Sequence, residues 1–241
     1  MQNRTWRTLS EPPLVSALCV TEDRPEFIPW LLWNHAKQDH PRRELIIVDS
    51  SREALTGSES EDVRVISCAP GTTVARKRNL ALRAARGDLI TWFDDDDWQH
   101  PRKLSILAAA LSGGVTLAGS RTGWFLDLRR NRVRPYTSTQ HLIFNSIGAR
   151  AAVAVAVPFD EAMVRASDTA WLTGLRRTGA ATAVIPEILS VWLCHRRNLS
   201  NPASRYVFPR PLSDLELQLG HDAWAGTPDQ LERLRSRLAC T

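Results

Sequence analysis

Four short apolar runs, residues 14–20, 44–48, 63–67 and 88–93, recur in the first hundred positions, and apolar residues at helical spacing lie between them. A chain that alternates in this way is constrained to a mostly parallel sheet covered by helices. Residues 72–86 read as one such helix. Thr72 or Thr73 is its N-cap, Val74, Ala75, Leu80, Ala81 and Ala84 supply apolar positions, and Gly87 marks the stop. Residues 101–111 repeat the logic, with Pro101 in the first turn and Gly113-Gly114 beyond the end. A third helix, 167–177, places Trp171, Leu172 and Leu175 on one face, with Gly179 after it.

Residues 123–128 and 133–137, joined by Arg129-Arg130-Asn131-Arg132, predict an antiparallel hairpin with a basic tip. The tip suits an anionic acceptor, but a solvated turn is the ordinary reading. Beyond residue 194 the pattern weakens, and Pro202, Pro209 and Pro211 precede a last helix, 228–238, that begins at Thr227. The expected organisation is therefore one domain over 1–200 and a C-terminal extension, 201–241, with a terminal helix.

With 241 residues, 43% hydrophobic and 24% charged, the chain can bury a substantial core. Its net charge of +5 hints at anionic partners such as nucleotides, and nothing singles out nucleic acid. Cys19, Cys68, Cys194 and Cys240 are widely spaced, with no C-x-x-C pair, which fits reduced thiols in a cytoplasmic setting. The apolar stretch at 14–20 is too short to span a bilayer and makes a poor signal peptide, so no integral membrane segment is expected.

The segment "WFDDDDWQHP", Trp92 to Pro101, ends the fourth apolar run with four adjacent carboxylates. Like charges in a partly enclosed place need a cation, a set of N–H groups or water around them. Oxygen ligands on an acidic loop suit Mg²⁺ or Mn²⁺ shared with substrate phosphates. A solvated acidic turn, with Asp97 capping the helix that Pro101 opens, is the alternative. In a parallel sheet ligands gather at the carboxyl ends of the strands. There fall Thr21-Glu22-Asp23-Arg24, Asp49-Ser50-Ser51 and the acidic run, with Arg76-Lys77-Arg78-Asn79 on the helix leading into it. Such a crevice suits a nucleoside diphosphate, with Asp49 at base or ribose and Arg78 at phosphate. The chain has neither G-x-G-x-x-G nor G-x-x-x-x-G-K-[ST].

The stretches "LVSALCVTEDRPEFI", "ELIIVDSS", "VARKRNLALRAARGDLITWFDDDDWQHPRKL", "FDEAMVRASDTAWLTGLRRTG" and "SVWLCHRRNLSNP", in this order, resemble a family 2 glycosyltransferase with the GT-A fold. The resemblance covers roughly residues 14–202. It implies a Rossmann-like, mostly parallel α/β sheet flanked by helices, with the hairpin on the acceptor side. It also implies an inverting, metal-dependent transfer from a nucleotide-sugar, a UDP-sugar above all, to a small-molecule, peptide or glycan acceptor, and it leaves room for a homodimer.

By the same resemblance, Thr21, Glu22, Asp23 and Arg24 form the loop that cradles the nucleoside, and Asp49 matches a nucleobase-binding Asp. Arg78 matches the Arg beside the nucleotide. Asp94-Asp95-Asp96 matches the D-x-D motif, in which Asp96 binds the metal and Asp94 reaches ribose or metal. Asp168 matches the catalytic base, and His195 and Asn198 match a late H-x-x-N-x-S stretch whose His completes the metal or diphosphate site. Ser167 stands where the family has the first acid of an E-D pair, and Ser50-Ser51 where it has Asp-Gly. Without the resemblance Asp168 reads as a helix N-cap, His195 as a structural histidine, and Arg76, Lys77 and Arg78 as a solvated helix face. Trp92, Trp98 and Trp171 read as core or site walls. Two other functions fit the sequence less well: a sugar-phosphate nucleotidyltransferase, which would need a glycine-rich basic loop after the first strand, and a non-catalytic nucleotide-sugar binding protein.

Overall fold

The computed structural model describes residues 11–163, 165–198 and 207–239. Apolar runs become strands where predicted: β1 (Val15–Thr21), β2 (Arg43–Asp49), β3 (Val63–Ser67) and β4 (Leu89–Trp92). Two short strands follow, β5 (Trp98–Gln99) and β6 (Leu117–Ser120), and then the predicted hairpin, β7 (Thr122–Asp127) and β8 (Arg132–Thr137). Next come β9 (Gly148–Arg150), β10 (Thr182–Ile185), β11 (Ser190–Cys194) and β12 (Arg210–Pro211). The helices that position the site are α1 (Ile28–Ala36), α2 (Val74–Ala84), α3 (Lys103–Ala110), α4 (Ala151–Ala156) and α5 (Ser167–Arg177).

The larger sheet has the order β10-β6-β9-β4-β1-β2-β3. All its pairings are parallel except those of β9, which runs antiparallel between β4 and β6. The chain steps outward from β1 through β2 to β3, then returns to place β4 on the other side of β1. That reversal opens a crevice at the carboxyl ends of β1 and β4. The smaller sheet, β12-β8-β7-β11-β5, carries the hairpin and meets the larger one at the acidic loop.

Strand residues alternate between two cores, as a pleat of period two requires. Leu18, Ile46, Ile90 and Trp92 pack toward α2 and α5, whereas Ala17, Leu45, Ile47 and Leu89 pack toward α1 and α3. A third core joins Phe27, Trp30, Trp98 and Trp124 to Leu215, Trp224, Leu231 and Leu234 of the C-terminal helices Leu212–Leu219, His221–Trp224 and Thr227–Ala239. The terminal helix begins at Thr227, as predicted, and Thr227 Oγ1 accepts the Trp98 indole N–H at 3.2 Å.

Local signals mostly hold. Thr73 caps α2, its hydroxyl accepting from Arg76 N at 3.2 Å. Gly87 has a different reason from the one the sequence suggested: a Cβ there would meet Ser16 Oγ at 2.6 Å and Leu14 O at 2.7 Å, so close strand packing requires the glycine. α3 begins two residues later than Pro101 and has no side-chain cap. Asp97 does not cap it; the carboxylate turns inward, accepting from Asn145 Nδ2 at 2.6 Å and Leu193 N at 3.1 Å.

α3 is tied to the site by Lys103, whose ammonium is fully buried and donates to Trp92 O, Gln99 Oε1 and Asn145 O at 2.8, 2.7 and 2.6 Å. Burial lowers its pKa to about 7, against the pull of Asp94 and Asp97. Lys103→Met should leave three buried acceptors unpaired and remove a cation from beneath the acids, costing about 3–5 kcal/mol of unfolding free energy in a urea titration.

Candidate active site

Asp94–Asp97 follow β4 directly, and each acid meets a different set of partners. Thr21 Oγ1, at the end of β1, donates to Asp95 Oδ2 at 2.6 Å. Arg24 bridges two of the acids, with Nη1 2.9 Å from Asp95 Oδ1 and Nη2 on Asp96 Oδ2. The same Asp96 oxygen faces His195 Nε2 and accepts from Asn198 Nδ2, both at 3.2 Å. Burial pushes the carboxyls of Asp94, Asp95 and Asp97 up, Asp95 to about 7. Burial opposes ionisation of Asp96 too, yet Arg24 and His195 outweigh it and hold that carboxyl below the usual range.

The loops after β1 and β11 are tied together beside this cluster. Arg197 donates to Glu26 Oε1 and to Asp23 O, and the His195 ring packs on Phe27 with centroids 4.7 Å apart. Asp23 and Ala166 take left-handed backbone with φ of 49° and 56°, and both border the site. A non-glycine residue held there stores strain that surrounding contacts must sustain, a feature common where a loop presents functional groups.

Asp49 ends β2 and organises the loop beyond it, its carboxylate accepting from Ser51 N, Ser51 Oγ and Leu55 N. Asp23 Oδ1 accepts from Arg52 N at 2.9 Å, joining the first and second loops. Glu22 accepts from Gly71 N and from Lys77 Nζ, both at 3.0 Å. Lys77 is not on a solvated face: it is 2% exposed and also donates to Thr21 O and Ser50 Oγ. Its burial was invisible in the run Arg76-Lys77-Arg78, because only the packing of α2 against β1 and β2 decides which cation of the three turns inward.

Arg78, on the next position of α2, lies over Phe144 with its guanidinium carbon 4.3 Å from the ring centroid. It donates to Ser167 Oγ at 3.2 Å, so the serine that departs from the family's acid still faces this cation. Arg78 Nε is buried and has no partner among the described residues. Burial lowers the Arg78 pKa, while Asp94 and Asp168 pull it up, so both carboxylates sense this guanidinium. Asp168 is not an N-cap. It is the second residue of α5, behind Ala166 and Ser167, with Oδ1 accepting from Thr169 N at 2.8 Å.

A cavity of about 280 Å³ brings Arg78, Asp94 and Asp168 together. Its far wall comes from the smaller sheet: Phe125 of β7 stacks on Trp192 of β11 at 4.7 Å, and Tyr136 of β8 meets Trp192 edge-on. The hairpin therefore borders the cavity, but its basic tip does not reach it. Arg129 N and Arg130 N donate to Asp127 Oδ1, and Arg132 donates to Phe208 O and Pro209 O. Sequence reasoning missed Asn145 and His141 around this space, since each stands in an irregular segment with no motif of its own, and it missed Trp192 because the late stretch that contains it is read for His195 and Asn198. Trp92, Trp98 and Trp171 are core, as expected.

Among the described residues no three His, Cys, Asp or Glu side chains converge to cage a metal ion. Asp96 and His195 offer a carboxylate and an imidazole on one side, with Asp94 at the cavity. That donor set fits Mn²⁺ or Mg²⁺ when substrate phosphates and water complete the shell, the usual arrangement for these ions. Cys19, Cys68 and Cys194 are free, and Cys240 lies outside the described residues. Among the described residues no helix is long and apolar enough to cross a membrane.

Comparison with solved structures gives the same architecture in glycosyltransferases of low sequence identity. A mannosyltransferase from Pyrobaculum calidifontis, in complex with GDP-Man and Mn²⁺, matches with a TM-score of 0.62 at 17% identity, over 99% of this chain and 78% of its own. Residues 1–349 of S. aureus TarS match with a TM-score of 0.61 at 17% identity, over 75% of this chain. The chain spans 60% of the length of that TarS fragment. The same fragment in complex with UDP-GlcNAc matches at 0.60 and 16% identity, over 93% of this chain and 71% of its own. No curated protein sequence matches significantly. The profile of "Glycosyl transferase family 2" covers residues 16–156, more than half of the chain, from β1 through the acidic loop to the end of α4. With a GT-A fold and that profile across its first two cores, the protein belongs to glycosyl transferase family 2.

Proposed function

We propose that the protein is an inverting glycosyltransferase that moves a sugar from a nucleotide-sugar, a UDP-sugar, to an acceptor hydroxyl, with Mn²⁺ or Mg²⁺ at the donor diphosphate. The observation that carries this reading is the cavity in which Arg78, Asp94 and Asp168 meet an aromatic wall, directly beside Asp95 and Asp96. The relatives in complex with GDP-Man and Mn²⁺, or with UDP-GlcNAc, support the choice of donor class.

In this reading Thr21, Glu22, Asp23 and Asp49 shape the nucleoside pocket at the ends of β1 and β2. Most of their polar atoms are engaged by neighbouring protein groups, which fixes the pocket's walls before a ligand arrives. Asp96, His195 and Asp94 would hold the cation, with Asn198 orienting Asp96. A bound divalent ion supplies charge neutralisation for the departing diphosphate. Arg78, its ring contacts holding the guanidinium flat and its Nε lacking a partner, presents positive charge to the same oxygens. Asp168, half-exposed at the cavity, keeps one carboxylate oxygen clear of the Thr169 N–H and takes the proton of the acceptor hydroxyl as it attacks. Phe125, Tyr136 and Trp192 offer apolar ring faces to the acceptor. The protein acts on its acceptor without nucleic acid and in a cytoplasmic setting.

Asp96→Asn should abolish the Mn²⁺-dependent rise in melting temperature that UDP gives the parent protein, since a ligand that binds only the native state stabilises it. An equal Mn²⁺-dependent shift in variant and parent would remove Asp96 from the cation site.

Asp168→Asn should retain donor binding and lose transfer by about 10²–10⁴-fold, the share of a general base. Turnover at the parental rate would leave Asp168 as a helix-turn residue.

With Asp94 given to the cation, Asp168 is the remaining carboxylate at the cavity among the described residues, so the chemistry allows one direct displacement at the anomeric carbon. An α-linked donor should give a β-linked product, read from the anomeric coupling in proton NMR. An α-linked product would exclude the role given to Asp168.

A further inference from the structure

Arg24 stands where a metal would have to enter. One edge of its guanidinium spans Asp95 Oδ1 and Asp96 Oδ2, and the plane lies over Phe27 with the central carbon 4.6 Å from the ring centroid. Its side chain is 16% exposed. Thr21 takes the other oxygen of Asp95, while His195 and Asn198 crowd the same Asp96 oxygen that Arg24 holds. A divalent ion that took Asp96 Oδ2 would set its charge against the Arg24 guanidinium on the same oxygen, so the two cations compete for this carboxylate.

We propose that Arg24 is a resident cation of the donor-free protein that competes with metal for the Asp95–Asp96 pair and gives it up when a nucleoside diphosphate arrives. The inference rests on the reading that Asp96 receives the ion. Its physical basis is charge balance. Metal alone would displace a largely enclosed guanidinium from both of its carboxylates and strand it beside a dication. A diphosphate brings oxygens to which the displaced fork can pair bidentately, and it adds negative charge for the metal. Arg24 Nε is buried and has no partner among the described residues, so the guanidinium keeps a donor in hand for such an exchange. Metal and nucleotide affinity must then be linked, each raising the other by the same factor.

Titration of free Mn²⁺ by electron paramagnetic resonance tests this without turnover. The parent protein should bind Mn²⁺ about 50-fold more tightly with saturating UDP than without it. Arg24→Gln should bind Mn²⁺ about tenfold more tightly than the parent when UDP is absent, and show a correspondingly smaller gain when UDP is added. Equal parental affinity with and without UDP would overturn the proposal, and that measurement needs no variant to fold. An Arg24→Gln protein that binds Mn²⁺ just as the parent does would overturn it as well. Absence of Mn²⁺ binding under both conditions would instead remove the cation from the proposed reaction, a result distinct from metal binding that ignores the nucleotide.

Discussion

Four consecutive carboxylates at the end of β4, three of them buried and Asp94 half-buried at the cavity, repel one another, and every one of them must find compensation from elsewhere in the chain. Arg24 comes from the loop after β1, Arg78 from α2, Lys103 from α3, Asn145 from the turn before β9, and His195 and Asn198 from the loop after β11. These groups lie up to about a hundred residues away in sequence. Charge in one short loop therefore fixes how two sheets, the helices α2 and α3 and a late loop close around it. The loop's backbone joins in: Asp97 O accepts the Trp30 indole N–H at 3.0 Å, binding α1 to the same point.

The partners divide the acids by role. Asp97 is enclosed by neutral donors, the Asn145 amide and Leu193 N–H, and serves as an internal strut between the sheets. Asp95 and Asp96 face cationic or polar donors that a ligand can replace. Asp94 looks into the cavity toward Arg78 and Asp168. A single tetrapeptide thus carries structure at one end and, in the proposed reaction, substrate chemistry at the other, because backbone direction points successive side chains to different surroundings.

The second sheet gives the cavity its other wall and is held in place by the C-terminal helices. β12 pairs with β8 through Arg210 and Val133, and Leu215, Trp224 and Leu231 pack under β7 and β11. Phe125, Tyr136 and Trp192 consequently stand on a supported platform facing Asp168. The GT-A fold is shared with structures of 16–17% identity, so it tolerates wholesale exchange of residues where volume and apolar patterning are kept.

By itself the sequence determined the parallel sheet, the helix α5 to the residue, the hairpin and the crevice at the ends of β1 and β4. Period-two and period-3.6 apolar patterns, caps and glycines are local signals, and they act within a few residues of where they are written. It also placed Thr21, Arg24, Arg78, Asp94, Asp96, Asp168, His195 and Asn198 at one end of the fold through motif order. Tertiary structure alone decided how charge is shared among them. That Lys77 and Lys103 are buried, that Asp97 is a strut and not a helix cap, and that Arg24 holds Asp95 and Asp96 together all depend on groups brought from distant segments. Desolvation and pairing act through space, so the same lysine or aspartate has a different chemistry according to what the fold sets against it.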